Sequence, residues 1–110
     1  MKELGIKRNF LAIEKEFSTY KTSEIVILSA PFEKTVSYGK GTKNGPKEIL
    51  EASHYVEFYD EELDRELCFE KGICTLEPLE LAKLSPKAAL NKIYKETEKL
   101  LKDEKFVVVL

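Results

Sequence analysis

Two uninterrupted apolar runs stand out along the chain, Ile25-Val26-Ile27-Leu28 and Phe106-Val107-Val108-Val109-Leu110. Neither alternates with polar residues and both are rich in β-branched side chains, so each predicts a strand buried on both faces. Pro31 ends the first ladder because it brings no backbone N–H. A different period governs the stretch between them. Leu90, Ile93, Tyr94, Thr97, Leu100 and Leu101 fall at i, i+3, i+4, i+7, i+10 and i+11, with Lys and Glu between them. That pattern predicts an amphipathic helix. Ser85 is placed to cap it and Pro86 to occupy its first position. A shorter helix is predicted from Pro46 to about Tyr55, with Glu48 in its first turn and Ile49, Leu50 and Ser53 as a buried stripe.

The remaining segments carry weaker patterns. In residues 1–23, Phe10, Ile13 and Phe17 have a rough helical spacing that the polar stretch 18–23 interrupts. Val56 to Tyr59 reads as a short extended piece. Asp60 is expected to cap a turn of helix through Leu67. A weak strand is expected over Leu67–Ile73, broken at Gly72, followed by a connection over Thr75–Ser85. Strands that alternate with helices and are uniformly apolar predict an α/β fold with a parallel sheet. No internal repeat, low-complexity tract or interdomain linker divides the chain, so residues 1–110 read as one domain.

Composition narrows the function classes. With 18 Lys+Arg against 20 Asp+Glu the net charge is −2, which excludes the strongly basic balance of a typical nucleic-acid binder. A hydrophobic fraction of 43% with 10% aromatics excludes a disordered chain. The longest apolar runs fall far short of the ~20 residues of a membrane span. The N-terminus, with Lys2, Glu3, Lys7 and Arg8, lacks the apolar core of a signal peptide. No membrane and no nucleic acid are therefore expected as partners. Cys68 and Cys74 match neither a CxxC pair nor a zinc knuckle and read as small buried hydrophobes, which favours a reducing cytoplasm. His54 is the one histidine and reads as a surface or satisfied side chain. Asp60, Glu61, Glu62 and Asp64 lack the spacing of a calcium loop and read as a solvated turn.

The sharpest chemical feature is the segment Phe32–Gly45, with glycines at 39, 41 and 45, between the first strand and the helix that Pro46 opens. Glycine loops at helix N-termini commonly seat anions. This one fails the G-x-x-x-x-G-K-S/T test, because Asn44 and Pro46 stand where the second glycine would be. It also fails G-x-G-x-x-G, because Asn44 takes the third glycine's place. Nucleotide binding is thus a third-ranked reading. Ligands of open α/β sheets bind beyond the carboxyl ends of the strands. The strand Phe106–Leu110 points that end at the chain terminus, so the expectation is a domain cut in mid-sheet.

The segment from Ile25 to Ile49 resembles the N-terminal part of the agmatinase branch of the ureohydrolase (arginase) family. Pro31-Phe32-Glu33 is similar to the family's Pro, aromatic, acidic triplet after its first strand. Thr35 and Ser37-Tyr38 follow as in the family, and then Gly41-Thr42-Lys43-Asn44-Gly45-Pro46 leads into a helix; the family usually has Arg at the position of Lys43. Tyr59-Asp60-Glu61-Glu62-Leu63 is also similar to the family's stretch after that helix. The resemblance implies a three-layer α/β fold with a mainly parallel sheet, of which residues 1–110 are a single incomplete domain. It implies two manganese ions that activate a bridging water for attack on a guanidinium carbon, releasing urea. The family's first metal-ligand histidine follows a strand like Phe106–Leu110, so no catalytic or metal residue transfers to this chain. The chain alone is expected to bind no manganese and to be inactive. Ser37, Tyr38, Gly39, Gly41, Thr42, Lys43, Gly45 and Pro46 are implied as a loop at the active-site rim or a subunit contact. The implied partners are a guanidino substrate in the full enzyme and a homo-oligomer or complementing C-terminal chain. The alternative is a non-catalytic α/β interaction module that pairs with a partner chain through an open sheet edge.

Overall fold

Four consecutive apolar residues, three of them β-branched, leave β1 (Ile25–Leu28) no polar face, so it must lie between two layers. In the computed structural model, which describes residues 1–34 and 39–110, it is the central strand of three. β2 (Ile73–Thr75) and β3 (Phe106–Val109) flank it in the order β2-β1-β3, both parallel to it. Val26 stands opposite Cys74 on one side and Val107 on the other. The helices are α1 (Gly45–Ser53), α2 (Leu67–Lys71) and α3 (Pro86–Lys102). Short 3-10 turns occupy Phe10–Ala12, Lys15–Phe17 and Thr42–Asn44.

Strand alternation divides the core into two clusters. Val26 and Leu28 pack with Cys74, Leu76, Leu81, Ala89 and Leu100 on the α3 side. Ile27 packs with Leu4, Leu11, Ile13, Leu50, Cys68 and Ile73 on the side of α1, α2 and the N-terminal segment. The result is helix, sheet, helix: the layered α/β arrangement with a parallel sheet. Each fully buried aliphatic side chain contributes about 1.5–3 kcal/mol.

The outer edge of β2 is strapped by the N-terminus. Leu4 N–H donates to Thr75 O at 2.8 Å, Glu77 N–H donates to Lys2 O at 2.9 Å, and Glu3 bridges Leu76 in antiparallel sense. The strap continues into a buried turn in which Leu11 and Ala12 have φ of 68° and 50°. Asn9, fully buried, closes it with both ends of its amide: Nδ2 donates to Ile13 O at 2.9 Å and Oδ1 accepts from Ile13 N–H at 3.0 Å. Leu11 N–H donates to Ser53 Oγ at 2.8 Å, tying the turn to α1.

Several local expectations are corrected. Over Leu67–Ile73 the chain forms the helix α2 and only then enters β2; Gly72, at φ 70°, makes the reversal that lets the next three residues pair with β1. Asp60 caps a tight turn, its Oδ1 accepting from Glu62 N–H and Leu63 N–H, and opens no helix. Val56–Tyr59 forms no strand. In α1 the buried positions are Pro46, Leu50 and Ser53, and Ile49 lies outward.

In α3, Ser85 caps as expected, accepting from Ala88 N–H at 3.2 Å. The apolar stripe, however, divides. Ala89 and Leu100 are buried and Ile93 packs against them, whereas Leu90, Tyr94 and Leu101 are 68%, 65% and 57% exposed. Neighbouring positions differ by about 100° around a helix, and the sheet contacts only one side of the arc. β3 departs from expectation too. As an edge strand it turns Val107 and Val108 into the two cores, while Phe106 and Val109 remain exposed.

Candidate functional site

The carboxyl ends of β1 and β2 come together because Leu79 N–H donates to Ser29 O at 3.0 Å. Just beyond them lies an open recess of about 820 Å³, bounded by Pro31, Glu33, Lys43, Asn44 and the segment Leu79–Leu84. This is where a parallel α/β sheet places its ligands. The sequence reading placed no residue of Leu79–Leu84 there; the segment carries no motif, and only its pairing to Ser29 brings it to the rim.

Of the predicted loop residues, Gly39, Gly41, Thr42, Lys43, Gly45 and Pro46 are described; Ser37 and Tyr38 lie outside the described residues. Gly41 adopts φ 116°, a conformation that a side chain disfavours, and its carbonyl accepts from Asn44 N–H at 2.8 Å to close the 3-10 turn Thr42–Asn44. Gly45 then begins α1 directly and Pro46 is buried in its first turn. Lys43 and Asn44 therefore reach the recess from a fixed helix entrance.

Glu33 is the organiser that sequence reasoning missed. Its Oε1 accepts from Gly41 N–H and, at 3.4 Å, from Lys43 N–H. The Gly41 N–H, followed by those of Lys43 and Thr42 and the Lys43 charge, holds the Glu33 carboxyl below the usual carboxylate range. The concavity of loop amides that could seat a phosphate is thus occupied by an anion of the chain itself. Among the described residues, that arrangement weighs against the nucleotide reading. The signal available in the sequence was an acidic residue eight positions before Gly41.

The other singled-out side chains stand apart from this recess. His54 Nε2 lies 2.8 Å from Asn9 O; a carbonyl only accepts, so Nε2 carries the proton. Cys68 and Cys74 are free and buried. Burial pushes both thiols up, Cys74 to about 12, which leaves them unreactive. Glu61, Glu62 and Asp64 are exposed, and Tyr59 donates to Asp64. Among the described residues no group of three or more His, Cys, Asp or Glu is placed to hold a metal ion. The described residues therefore do not fit the two-ion centre the resemblance implies. No helix among the described residues is long and apolar enough to cross a membrane.

Comparison with known proteins agrees with the geometry. The profile of the arginase family matches residues 23–110. An N(1)-aminopropylagmatine ureohydrolase from Synechocystis sp. is 36% identical over 107 residues, covering 94% of this chain and 35% of the relative. An agmatinase from Bacillus anthracis is 43% identical over 53 residues, covering 48% of this chain and 18% of the relative. A crystal structure assigned as an agmatinase from Clostridium difficile superposes with a TM-score of 0.71 at 26% identity, covering 83% of this chain and 33% of that one. The chain thus spans about a third of the length of the first relative and of the solved structure.

Proposed function

The chain belongs to the arginase family, and from that premise we propose that it is the N-terminal portion of an agmatinase-like ureohydrolase. The reaction of the whole protein is metal-assisted hydrolysis of a guanidino compound such as agmatine to an amine and urea, with two manganese ions as cofactor. Residues 1–110 supply the start of the parallel sheet and one wall of the site, as a single incomplete domain that is inactive alone. The loop Ser37–Pro46 shapes the active-site rim or a subunit contact. The observation that carries this reading is the position of that loop. Its Gly41-Thr42-Lys43-Asn44-Gly45-Pro46 motif stands at the carboxyl end of β1, beside the recess, within the matched span. We place the protein in the cytoplasm, as part of polyamine metabolism; two free, buried cysteines support a reducing compartment.

The test is direct. The native polypeptide carrying this segment is sized by mass spectrometry and assayed for manganese-dependent urea release from agmatine. Urea is expected from the longer polypeptide, or from an oligomer or assembly with a complementing chain, and none from residues 1–110 alone. Absence of urea from the longer product overturns the reading. The second reading, an interaction module that pairs with a partner chain, draws on the open edge of β3 with exposed Phe106 and Val109. A 110-residue monomer that unfolds cooperatively favours it; concentration-dependent association favours the enzyme portion.

A further inference from the structure

The chain has asparagines at 9, 44 and 91, and only Asn44 is followed by glycine. The fold treats the three differently. Asn9 is fully buried, with both ends of its amide bonded to the backbone of Ile13. Asn91 is exposed but lies inside α3, with helical backbone on both sides and Lys92 next in the chain. Asn44 is exposed at the junction between the 3-10 turn Thr42–Asn44 and α1, and its side chain makes no capping hydrogen bond.

An asparagine side chain closes a ring with its own backbone when the next residue's amide nitrogen can reach its Cγ. At Gly45 no side chain obstructs that nitrogen. Two bonds hold the junction: Asn44 N–H donates to Gly41 O at 2.8 Å, and Gly45 N–H donates to Thr42 O. Both span three residues, a poorer geometry than an α-helical bond, and they stand at an exposed helix end, where local opening is least costly. Gly41 gives the side chain room to turn, since Asn44 Nδ2 lies 4.0 Å from where a Cβ on Gly41 would stand. Opening the junction also spares the interior, because neither core cluster has a member within residues 41–45.

We propose that Asn44-Gly45 is a self-modification site, at which the folded chain converts asparagine to aspartate and isoaspartate, independently of the family's reaction. The Gly45 amide gives up its proton and its nitrogen attacks Asn44 Cγ. The bond from Cγ to Nδ2 breaks, and Nδ2 leaves with that proton as ammonia. The product is a five-membered imide that holds the Gly45 nitrogen between the two carbonyls of residue 44. Water then opens the ring. Cleavage at Cγ gives aspartate, and cleavage at the main-chain carbonyl gives isoaspartate. The balance is one water consumed and one ammonia released, with no oxidant or reductant. Either product places a new carboxylate on the wall of the larger recess, beside Lys43 and at the positive end of α1. Isoaspartate also adds a backbone carbon to the turn that carries Lys43.

The experiment incubates the full chain at mildly alkaline pH, in parallel native and unfolded in urea. Peptide mapping by mass spectrometry reads amide loss at each asparagine, and a methyltransferase specific for isoaspartate reads the isomer. The native chain is expected to lose the Asn44 amide, to give both products, and to keep Asn9 and Asn91 intact. The loss should quicken as pH rises, because the attacking nitrogen must be deprotonated. Gly45→Ala is expected to stop it by crowding that nitrogen. The variant keeps the fold, since Gly45 has the helical angles φ −51° and ψ −54° and a Cβ there meets nothing within 4 Å. An Asn44 that stays intact in the native chain while the unfolded chain converts overturns the proposal. So does equal loss at Asn91, or unchanged loss in Gly45→Ala.

Discussion

The Tyr20 hydroxyl donates to Asp103 Oδ2 at 2.5 Å, joining the N-terminal segment to the turn between α3 and β3 across 83 positions. Lys105 reinforces the same corner. Its Nζ lies 4.6 Å from the centroid of the Tyr20 ring and donates to Tyr20 O and Ser23 O, both at 2.7 Å. Burial, then the Asp103 carboxylate, pushes the Tyr20 phenol from 10.0 up to about 12. The protonated phenol is the form the fold favours, so its contribution is complete below pH 10 and is lost as pH rises through 12. The urea midpoint is expected to fall across that window, and to fall less in Tyr20→Phe. An equal fall in both proteins would assign the loss to other groups.

Asn9→Ala removes both side-chain bonds that close the turn at Leu11 and Ala12, leaving Ile13 N–H and C=O unpaired in the core. The expected loss is about 2–4 kcal/mol, from two buried hydrogen bonds and a strained backbone left unsupported. Chemical denaturation measures it. A loss no larger than that of an exposed substitution would show that the turn holds itself.

Glu33→Gln tests the organisation of the glycine loop. A depressed carboxyl contributes above its ordinary value of 4.5 and loses that contribution as pH falls below it. The Gly41 and Lys43 amide resonances are therefore expected to move as pH is lowered through this range. In Glu33→Gln they should move little, Gly41 N–H should exchange faster, and global stability should change little. Identical titration in the variant would release Glu33 from the role.

Gly72→Ala is expected to be severe. The residue has φ 70°, and a Cβ there would stand 3.0 Å from Ser23 Cα and 3.2 Å from Thr22 O, both backbone atoms. Strain and overlap together predict a loss of about 3 kcal/mol or more. Soluble yield and thermal midpoint report it.

The two sides of α3 should respond differently. Leu100→Ala opens a cavity in the α3 core and is expected to cost about 2–5 kcal/mol. Leu90→Ala, on the exposed side, is expected to stay within about 0.5 kcal/mol. Equal losses would contradict the packing described for this helix.

β1, β3 and α3 were legible because each announces itself through uninterrupted apolar residues or a long 3.6-residue period with Ser85 and Pro86 at its head. α2 was not. Leu67-Cys68-Phe69 suits a strand as well as a short helix, and its state is set by Gly72 and the pairing of Ile73 with Ile25. The buried side of α3 was misread toward its larger residues because Ala89, the closest-packed position, carries little apolar weight. For the site, the glycine loop was visible as a motif. Glu33 and Leu79–Leu84 were not, since their roles arise from one side-chain acceptor and one backbone bond between distant segments. The asymmetry of β3 was hidden as well: a run of valines does not tell whether one or two neighbours will flank it.

The strap of residues 2–4 along β2 gives the sheet a direction of growth. It ties the Thr75–Glu77 end of the β2 edge to the chain's own N-terminus, and among the described residues Phe106–Val109 presents its outer edge for a further strand. Two copies that met there would pair antiparallel about a twofold axis, and each would use up that edge.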